Sequence, residues 1–319
     1  MIWLFKDADY PFMKYRQWAF GLSGLLTLIT VVSIIAHGGP EYSIDFTGGT
    51  LIQLDFEEPI EAQRLRDALD DMPALESSEV QRFGDPSTAV VRAQVPAGQE
   101  EVFGQRIEEH LRQAPELAER SFTVVRTEAV GPKIGEELKR DALMAILYAM
   151  GFIMIYVAIR FDIKFGVAAI LATFHDIVLS IGAFSLTGKE ISLSVVAAFL
   201  TIIGYSLNDT IVVFDRIRED LKTMRREPYE EIVNRAVNQT LSRTILTGGT
   251  TLVVLFFLFF IGGEVIHDFA FALIIGILIG TYSSILIGAP LVVEWKHRIE
   301  DRGEGAASPK KRRKSKQPA

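Results

Sequence analysis

The stretch that decides the fold is Ser194–Phe214, SVVAAFLTIIGYSLNDTIVVF. At a rise of about 1.5 Å per residue, a helix of these 21 residues crosses a bilayer core of about 30 Å. Asn208 and Asp209 lie inside the run rather than at its end. A carboxylate at membrane depth costs roughly 3 kcal/mol on insertion scales, so Asp209 is the first candidate for a functional residue.

The spacing around Asp209 leaves two interpretations open. Helical periodicity places Thr201 and Tyr205 on the Asp209 face, with Gly204 and Asn208 beside them. The first interpretation is a buried acid that only holds helices together through hydrogen bonds. The second is a carboxyl group that takes up and releases a proton.

The rest of the chain predicts a polytopic α-helical membrane protein with one soluble insert. Of its 319 residues 49% are hydrophobic, which is high for a soluble protein. Five further apolar runs have the length of a membrane span, at residues 18–36, 141–159, 165–186, 244–261 and 269–293. With the Ser194 run they predict six transmembrane (TM) helices, TM1 to TM6, with the insert between TM1 and TM2.

The insert, residues 38–138, shows strand-like and helix-like periods in the order β-α-β-β-α-β. This order predicts a small α+β domain of the ferredoxin-like kind. The sequence therefore divides into four regions: the N-terminus with TM1 (1–37), this domain (38–138), the TM2–TM6 bundle (139–295) and a basic tail (296–319). Within the bundle, residues 215–243 are predicted to form a polar loop that carries an interfacial helix at 228–241.

Charge is divided unevenly between these regions. Residues 41–138 carry a net charge of −12, and the remainder carries +5. The segments on one side of the six spans hold 21 Lys and Arg residues, whereas the short turns on the other side hold Lys189 alone. The positive-inside rule then predicts both termini in the cytoplasm and the acidic domain on the outer side of the membrane.

Several function classes are disfavoured. The chain has no Cys, which excludes disulfides, thiolate nucleophiles and zinc–sulfur sites. Its five His residues show no metal-binding spacing, and no catalytic or nucleotide-binding motif is present. The sequence therefore predicts a protein that is not an enzyme and has no cofactor, with any work driven by an ion gradient or a partner ATPase.

Three other polar residues lie at or near membrane depth. His175 and Asp176 fall near the middle of TM3, and Arg243 begins TM5. Arg243 either reaches toward Asp209 or serves as an interface anchor. His175 is either a hydrogen-bonded helix contact or a proton relay, and the same two roles are open for Asp176.

Two further features concern packing and the tail. Gly276, Gly280, Ser284 and Gly288 recur every four residues in TM6, which predicts close helix packing or a docking face. The tail ends in the basic run Lys310–Lys316. Its position after a TM helix predicts a disordered segment that contacts anionic lipid, rather than nucleic acid.

Several short motifs carry a resemblance to a known family. They are YSIDFTGGT at 42–50, VGPKIG at 130–135, FHD at 174–176, GYSLNDT at 204–210 with DRIRE at 215–219, and QTLSRT at 239–244. In order and spacing the chain resembles the SecD/SecF family of bacterial protein-export membrane proteins, of the resistance-nodulation-division type.

The resemblance implies a multi-pass protein of the bacterial inner membrane with its small domain in the periplasm, and it implies a function and partners. Members assist Sec-dependent translocation of preproteins across the cytoplasmic membrane, using the proton motive force, with protons as the coupling ion. The implied partners are a separate SecD chain, the SecYEG translocon, YajC, YidC and the translocating preprotein. Asp209 and Arg243 match the family's proton-pathway residues, and Asn208, Asp176 and His175 join them as weaker candidates.

Two other functions remain open. The first is a proton-coupled exporter of small molecules from the same superfamily, and the second is a passive scaffold of the translocon.

Overall fold

A computed structural model describes residues 8–69, 79–82, 86–93, 100–117 and 120–306. In chain order the elements are α1 (Arg16–Ala36), α2 (Ile44–Thr47), β1 (Gly49–Phe56), α3 (Ala62–Leu69), β2 (Glu79–Arg82), β3 (Thr88–Ala93), α4 (Glu100–Gln113), β4 (Phe122–Val130), α5 (Pro132–Arg160), α6 (Ile163–Thr187), α7 (Leu193–Thr223), α8 (Tyr229–Ile261), α9 (Glu264–Ser283) and α10 (Ala289–Ala306). The predicted basic tail lies outside the described residues from position 307 onward.

Within the described ranges, six helices are long and apolar enough to cross a membrane. Five of these helices are α1, α5, α6, α7 and α8, and the sixth runs from α9 into α10. Each of the six predicted apolar runs falls within one of these helices, so the polytopic helical architecture is confirmed. The α6, α7 and α9 helices form the buried centre of the bundle, and α1, α5 and α8 lie at its periphery.

Glycine and proline explain the geometry of α9. A Cβ atom at Gly276 would clash with Ile202, so glycine allows α9 to lie directly against α7. Between α9 and α10 the helix widens into one π turn, Ser284–Gly288. Pro290 follows this turn and has no N–H to donate to the carbonyl of Leu286, which accounts for the irregularity.

The polar stretch predicted as a loop at 215–243 is almost entirely helical. The α7 helix continues to Thr223, and α8 runs without a break from Tyr229 into the membrane span, so the predicted separate helix at 228–241 is the first part of α8. The stretch contains no Gly, and Pro228 at the N-terminus of α8 is its only Pro. The fall in hydropathy therefore marks where the helix leaves the apolar layer, not where it ends.

Over its described residues, the soluble domain has a four-stranded sheet of order β2-β3-β1-β4, and all three pairings are antiparallel. Its core joins one face of the sheet to α3 and α4 through Ile52, Leu54, Leu65, Ile107 and Leu111. The domain attaches at one end of the bundle, near residues 37, 131 and 188–192.

Candidate functional site

Two acidic residues are buried in the centre of the bundle. Asp176 on α6 has no exposed surface, and Asp209 on α7 is 2% exposed. A buried charge costs several kcal/mol unless other groups compensate it. Their partners therefore decide what each carboxylate can do.

Asp176 has partners at both of its oxygens. Oδ1 lies 3.0 Å from Nδ1 of His175, and Oδ2 accepts hydrogen bonds from the hydroxyls of Ser206 (2.5 Å) and Ser283 (2.8 Å). These partners belong to α6, α7 and α9 respectively. Asp176 thus ties together the three central helices.

The network continues from His175 to α1. Nε2 of His175 lies 3.0 Å from the Ser23 hydroxyl, which lies 2.8 Å from the Tyr282 hydroxyl, and Tyr282 donates to the carbonyl of Ala19 at 3.1 Å. With the Asp176 contact this makes four hydrogen bonds in series. The chain of contacts therefore links Asp176 on α6, through His175, to Ser23 on α1 and Tyr282 on α9.

Asp209 has no such partners. Its Oδ2 is buried and accepts no hydrogen bond. Arg243 on α8 is the charged side chain that interacts electrostatically with Asp209, but the two form no direct ion pair, and Arg243 itself is exposed. The structure therefore places the two predicted residues on neighbouring helices without joining them.

Other polar groups near this part of the bundle also lack a protein partner. The hydroxyls of Tyr205, Thr210 and Thr244 are buried and make no hydrogen bond. Tyr205 lies one helical turn before Asp209, Thr210 follows it, and Thr244 follows Arg243. The region around Asp209 is therefore polar but has no fixed hydrogen-bond pattern. A change in the charge of the Asp209 carboxyl group would break no hydrogen bond at its Oδ2 atom.

The predicted polar stripe of α7 divides between two sides of the helix. Asp209 points into the bundle, whereas Asn208, Gly204 and Thr201 are exposed on the surface. Arg243 is exposed on the neighbouring α8. The isolated chain thus presents a polar surface at membrane depth beside Asp209.

The small residues of TM6 lie against α7 or within their own helix. A Cβ at Gly280 would lie 3.1 Å from Cβ of Ser206, and one at Gly288 would lie 3.6 Å from the Thr210 methyl group. Ser284 donates to the carbonyl of Thr281 at 3.1 Å. Gly280 thus brings α9 close to α7 at the level of Ser206, and Gly288 lies at the level of Thr210, the residue after Asp209. Over the described ranges, no group of three or more His, Asp or Glu side chains could hold a metal ion.

The sequence did not reveal the partners of Asp176. Ser23, Ser206, Tyr282 and Ser283 are polar residues within apolar spans, but so is Ser180, whose hydroxyl only donates to the main-chain carbonyl of Asp176 in its own helix at 2.8 Å. Nothing local separates the two kinds of serine. Only the packing of four helices brings the first group together.

The fold and the site define a polytopic helical membrane protein with ionisable groups inside its apolar spans. Residues 110–298 match the family described as "Protein export membrane protein SecD/SecF, C-terminal", and residues 33–60 match the "SecD/SecF GG Motif". The chain belongs to the SecD/SecF family, in its SecF branch.

Individual relatives agree with this assignment. The protein translocase subunit SecF of Rhodothermus marinus is 43% identical over 94% of this chain and 97% of its own length. The subunit SecDF of Thermus thermophilus is 44% identical, and the match covers 93% of this chain but 40% of that longer protein. A crystal structure of Thermus SecDF, described as a translocon-associated membrane protein, superposes with a TM-score of 0.83 at 42% identity over 93% of this chain and 40% of that one.

Proposed function

We propose that this chain assists Sec-dependent protein translocation across the bacterial cytoplasmic membrane, as the SecF partner of a SecD chain, and that the proton motive force drives it. The names of its relatives, protein translocase subunits SecF and SecDF, support the translocation role. The observation that carries the proton role is the buried carboxylate of Asp209, whose Oδ2 has no hydrogen-bond partner. In this proposal the chain is not an enzyme and uses no cofactor besides the proton.

The coupling step begins with protonation of Asp209. A neutral carboxyl group no longer attracts Arg243, so the contact between α7 and α8 changes. Each proton that crosses the membrane potential releases about 2.3 kcal/mol per 100 mV, which exceeds the net free energy of a typical hydrogen bond. The repacked helices then displace the soluble domain against the exported chain.

A SecD chain is the partner that we expect beside Asp209. The SecDF relative carries a region similar to this chain within a longer polypeptide, which supports association of this chain with a SecD chain. The exposed polar surface of Asn208, Thr201 and Arg243 supports the same conclusion, because polar groups at membrane depth are costly against lipid. SecYEG, YajC, YidC, the preprotein, and anionic lipid at the basic tail complete the set of proposed partners.

We infer that the acidic soluble domain is periplasmic and ferredoxin-like, and that both termini are cytoplasmic. The antiparallel order β2-β3-β1-β4, with both helices on one face, supports the fold. The 21 Lys and Arg residues opposite Lys189 support the orientation. Because the chain has no Cys, single cysteines at exposed Asp67 and Asp215 can be labelled in intact cells with a reagent that does not cross the membrane. Labelling at position 215 and not at 67 would contradict the orientation.

The function is tested with Asp209→Asn in inverted membrane vesicles that contain the SecD partner and the translocon. Export of a preprotein is followed with and without a proton gradient, after assembly has been verified. We expect the variant to lose the gradient-dependent part alone. The matched control is Asp215→Asn, which changes an exposed acid on the same helix and should have no effect. If Asp209→Asn keeps full gradient dependence, the proton proposal is wrong and the scaffold function takes its place.

A further inference from the structure

The soluble domain meets the beginning of α7, the helix that carries Asp209, through its own main chain. Ser43 N donates to the carbonyl of Ile191 at 3.1 Å, and Ile191 N donates to the carbonyl of Glu41 at 2.8 Å. These bonds form a parallel β-bridge between Tyr42 and Ile191. The segment that begins the soluble domain is thus paired with the turn between α6 and α7.

An acidic side chain of the same segment binds the α7 terminus. Leu193 is the first residue of α7, and its N–H donates to Oδ2 of Asp45 at 2.8 Å. The first N–H groups of a helix have no partner within the helix, and a carboxylate there also interacts favourably with the helix dipole. Ser192 accepts from Val195 N in the usual capping position. Asp45 of the soluble domain therefore makes one of these two capping hydrogen bonds at the N-terminus of α7, and Ser192 makes the other.

A second strand of the domain reaches the same turn. Arg92 on β3 forms an ion pair with Glu190, and both side chains are more than 80% buried. Burial makes this pair more specific than an exposed one, because loss of either member leaves a charge out of water. We call the contacts of Tyr42–Asp45 and Arg92 with Glu190–Leu193 the clamp.

The same segment is also fixed to α5. Gly48 has a φ of 72°, and a Cβ there would lie 2.6 Å from Cα of Pro132 at the start of α5. A Cβ at Gly135 would lie 3.0 Å from the main chain of Phe46. Only glycine allows this approach, and the first position also requires the left-handed region. The domain is thus continuous with α5 through the chain, whereas it holds α7 through the clamp.

We propose that the clamp joins α7 rigidly to the soluble domain, with Asp45 as its positioning residue, so that a displacement of α7 at Asp209 reaches the domain. This inference rests on the proposed function. In it, Asp45 and Glu190 make the contact that transmits force. This contact lies at the N-terminal end of α7, away from the polar part of α7 that ends at Thr223. A rigid contact should remain closed throughout the working cycle, whereas a switch should open.

One arm of the test weakens the clamp in the full complex. We expect Asp45→Ala combined with Glu190→Ala to reduce gradient-dependent export at least fivefold, with gradient-independent export and assembly unchanged. As single variants, Asp45→Asn and Asp45→Ala are compared. Because Asn retains an acceptor oxygen, Asp45→Asn should keep most of the gradient-dependent export that Asp45→Ala loses. Asp67→Ala is the matched control, since it removes an exposed acid from α3 of the same domain.

The other arm locks the clamp. The chain has no Cys, so Tyr42→Cys with Ile191→Cys creates one defined pair at two bridged positions. If the clamp is rigid, the oxidised pair keeps full gradient-dependent export. Loss of that export on oxidation, with recovery after reduction, would overturn the proposal, as would full activity of the Asp45→Ala and Glu190→Ala variant. This arm decides the matter if the alanine variant fails to assemble.

Asp209→Asn is measured in parallel to separate the two proposals. If it abolishes the gradient-dependent part while the clamp variants do not, only the clamp is wrong. If Asp209→Asn has no effect while the clamp variants reduce the gradient-dependent part, the role of Asp209 is wrong and the mechanical link remains. Wild-type vesicles without any gradient-dependent export would overturn both.

Discussion

Asp176 and Asp209 are the same residue type, both buried in the central helices of one bundle, but their surroundings differ completely. Asp176 accepts two serine hydroxyls and faces His175, whereas Oδ2 of Asp209 has no partner. Depth in the membrane alone therefore does not identify a proton-accepting carboxylate. Fixed hydrogen-bond donors stabilise the charged form of a carboxylate, and their bonds hold the helices that supply them together. A buried carboxylate without such donors can change its charge without breaking hydrogen bonds.

The largest expected difference is in stability, between the isosteric variants Asp176→Asn and Asp209→Asn. The first leaves the serine donors without their shared carboxylate and should lower the free energy of unfolding by about 3 kcal/mol. The second removes a buried charge that no side chain pairs with directly, so stability should be unchanged or slightly higher. Thermal unfolding of the purified complex in detergent measures both. Equal destabilisation by the two variants would remove the distinction between the sites.

A smaller effect is expected from the serine donors. Ser206→Ala and Ser283→Ala each remove one hydrogen bond to a carboxylate and should each cost about 1.5–3 kcal/mol. The double variant should deviate from additivity, because both hydroxyls bind the same Oδ2 atom. Ser180→Ala is the matched control: its hydroxyl bonds only to a carbonyl one turn earlier, so its removal should have little effect. The same unfolding assay applies, and a control as damaging as the donors would show that the effect is cavity formation.

The smallest effect is expected beside Asp209. Thr210→Val replaces a buried hydroxyl that has no partner with a methyl group of similar size, so stability should stay the same or rise by up to about 1 kcal/mol. Unfolding in detergent is again the measurement, with Ser283→Ala as the comparison. A clear loss of stability would show that Thr210 has a partner in the assembled complex, and Asp209 would then resemble Asp176 more closely.

Local signals predicted the elements well and their ends less well. The six apolar runs are long enough that each could only be a helix in a membrane, and each lies in one helix of the structure. The predicted loop was wrong from residue 215 to Thr223, because α7 continues through polar sequence that contains no helix-breaking residue. The helix predicted at 228–241 is present as the first part of α8. Hydropathy reports the solvent around a helix, whereas the backbone hydrogen bonds that define it do not depend on hydropathy.

The sequence by itself determined the number of apolar spans, the place of the soluble domain and the position of Asp209 inside its span, since these follow from composition and length along the chain. Only the tertiary structure decided which carboxylate is partnered. Ser23, Ser206 and Ser283 come from three different helices, and each reaches the His175–Asp176 network only through the crossing of those helices. The clamp is likewise decided by folding, because residues 42–45 and 190–193 are far apart in sequence. Hydrogen bonds act over about 3 Å, and such proximity is a property of the packed chain.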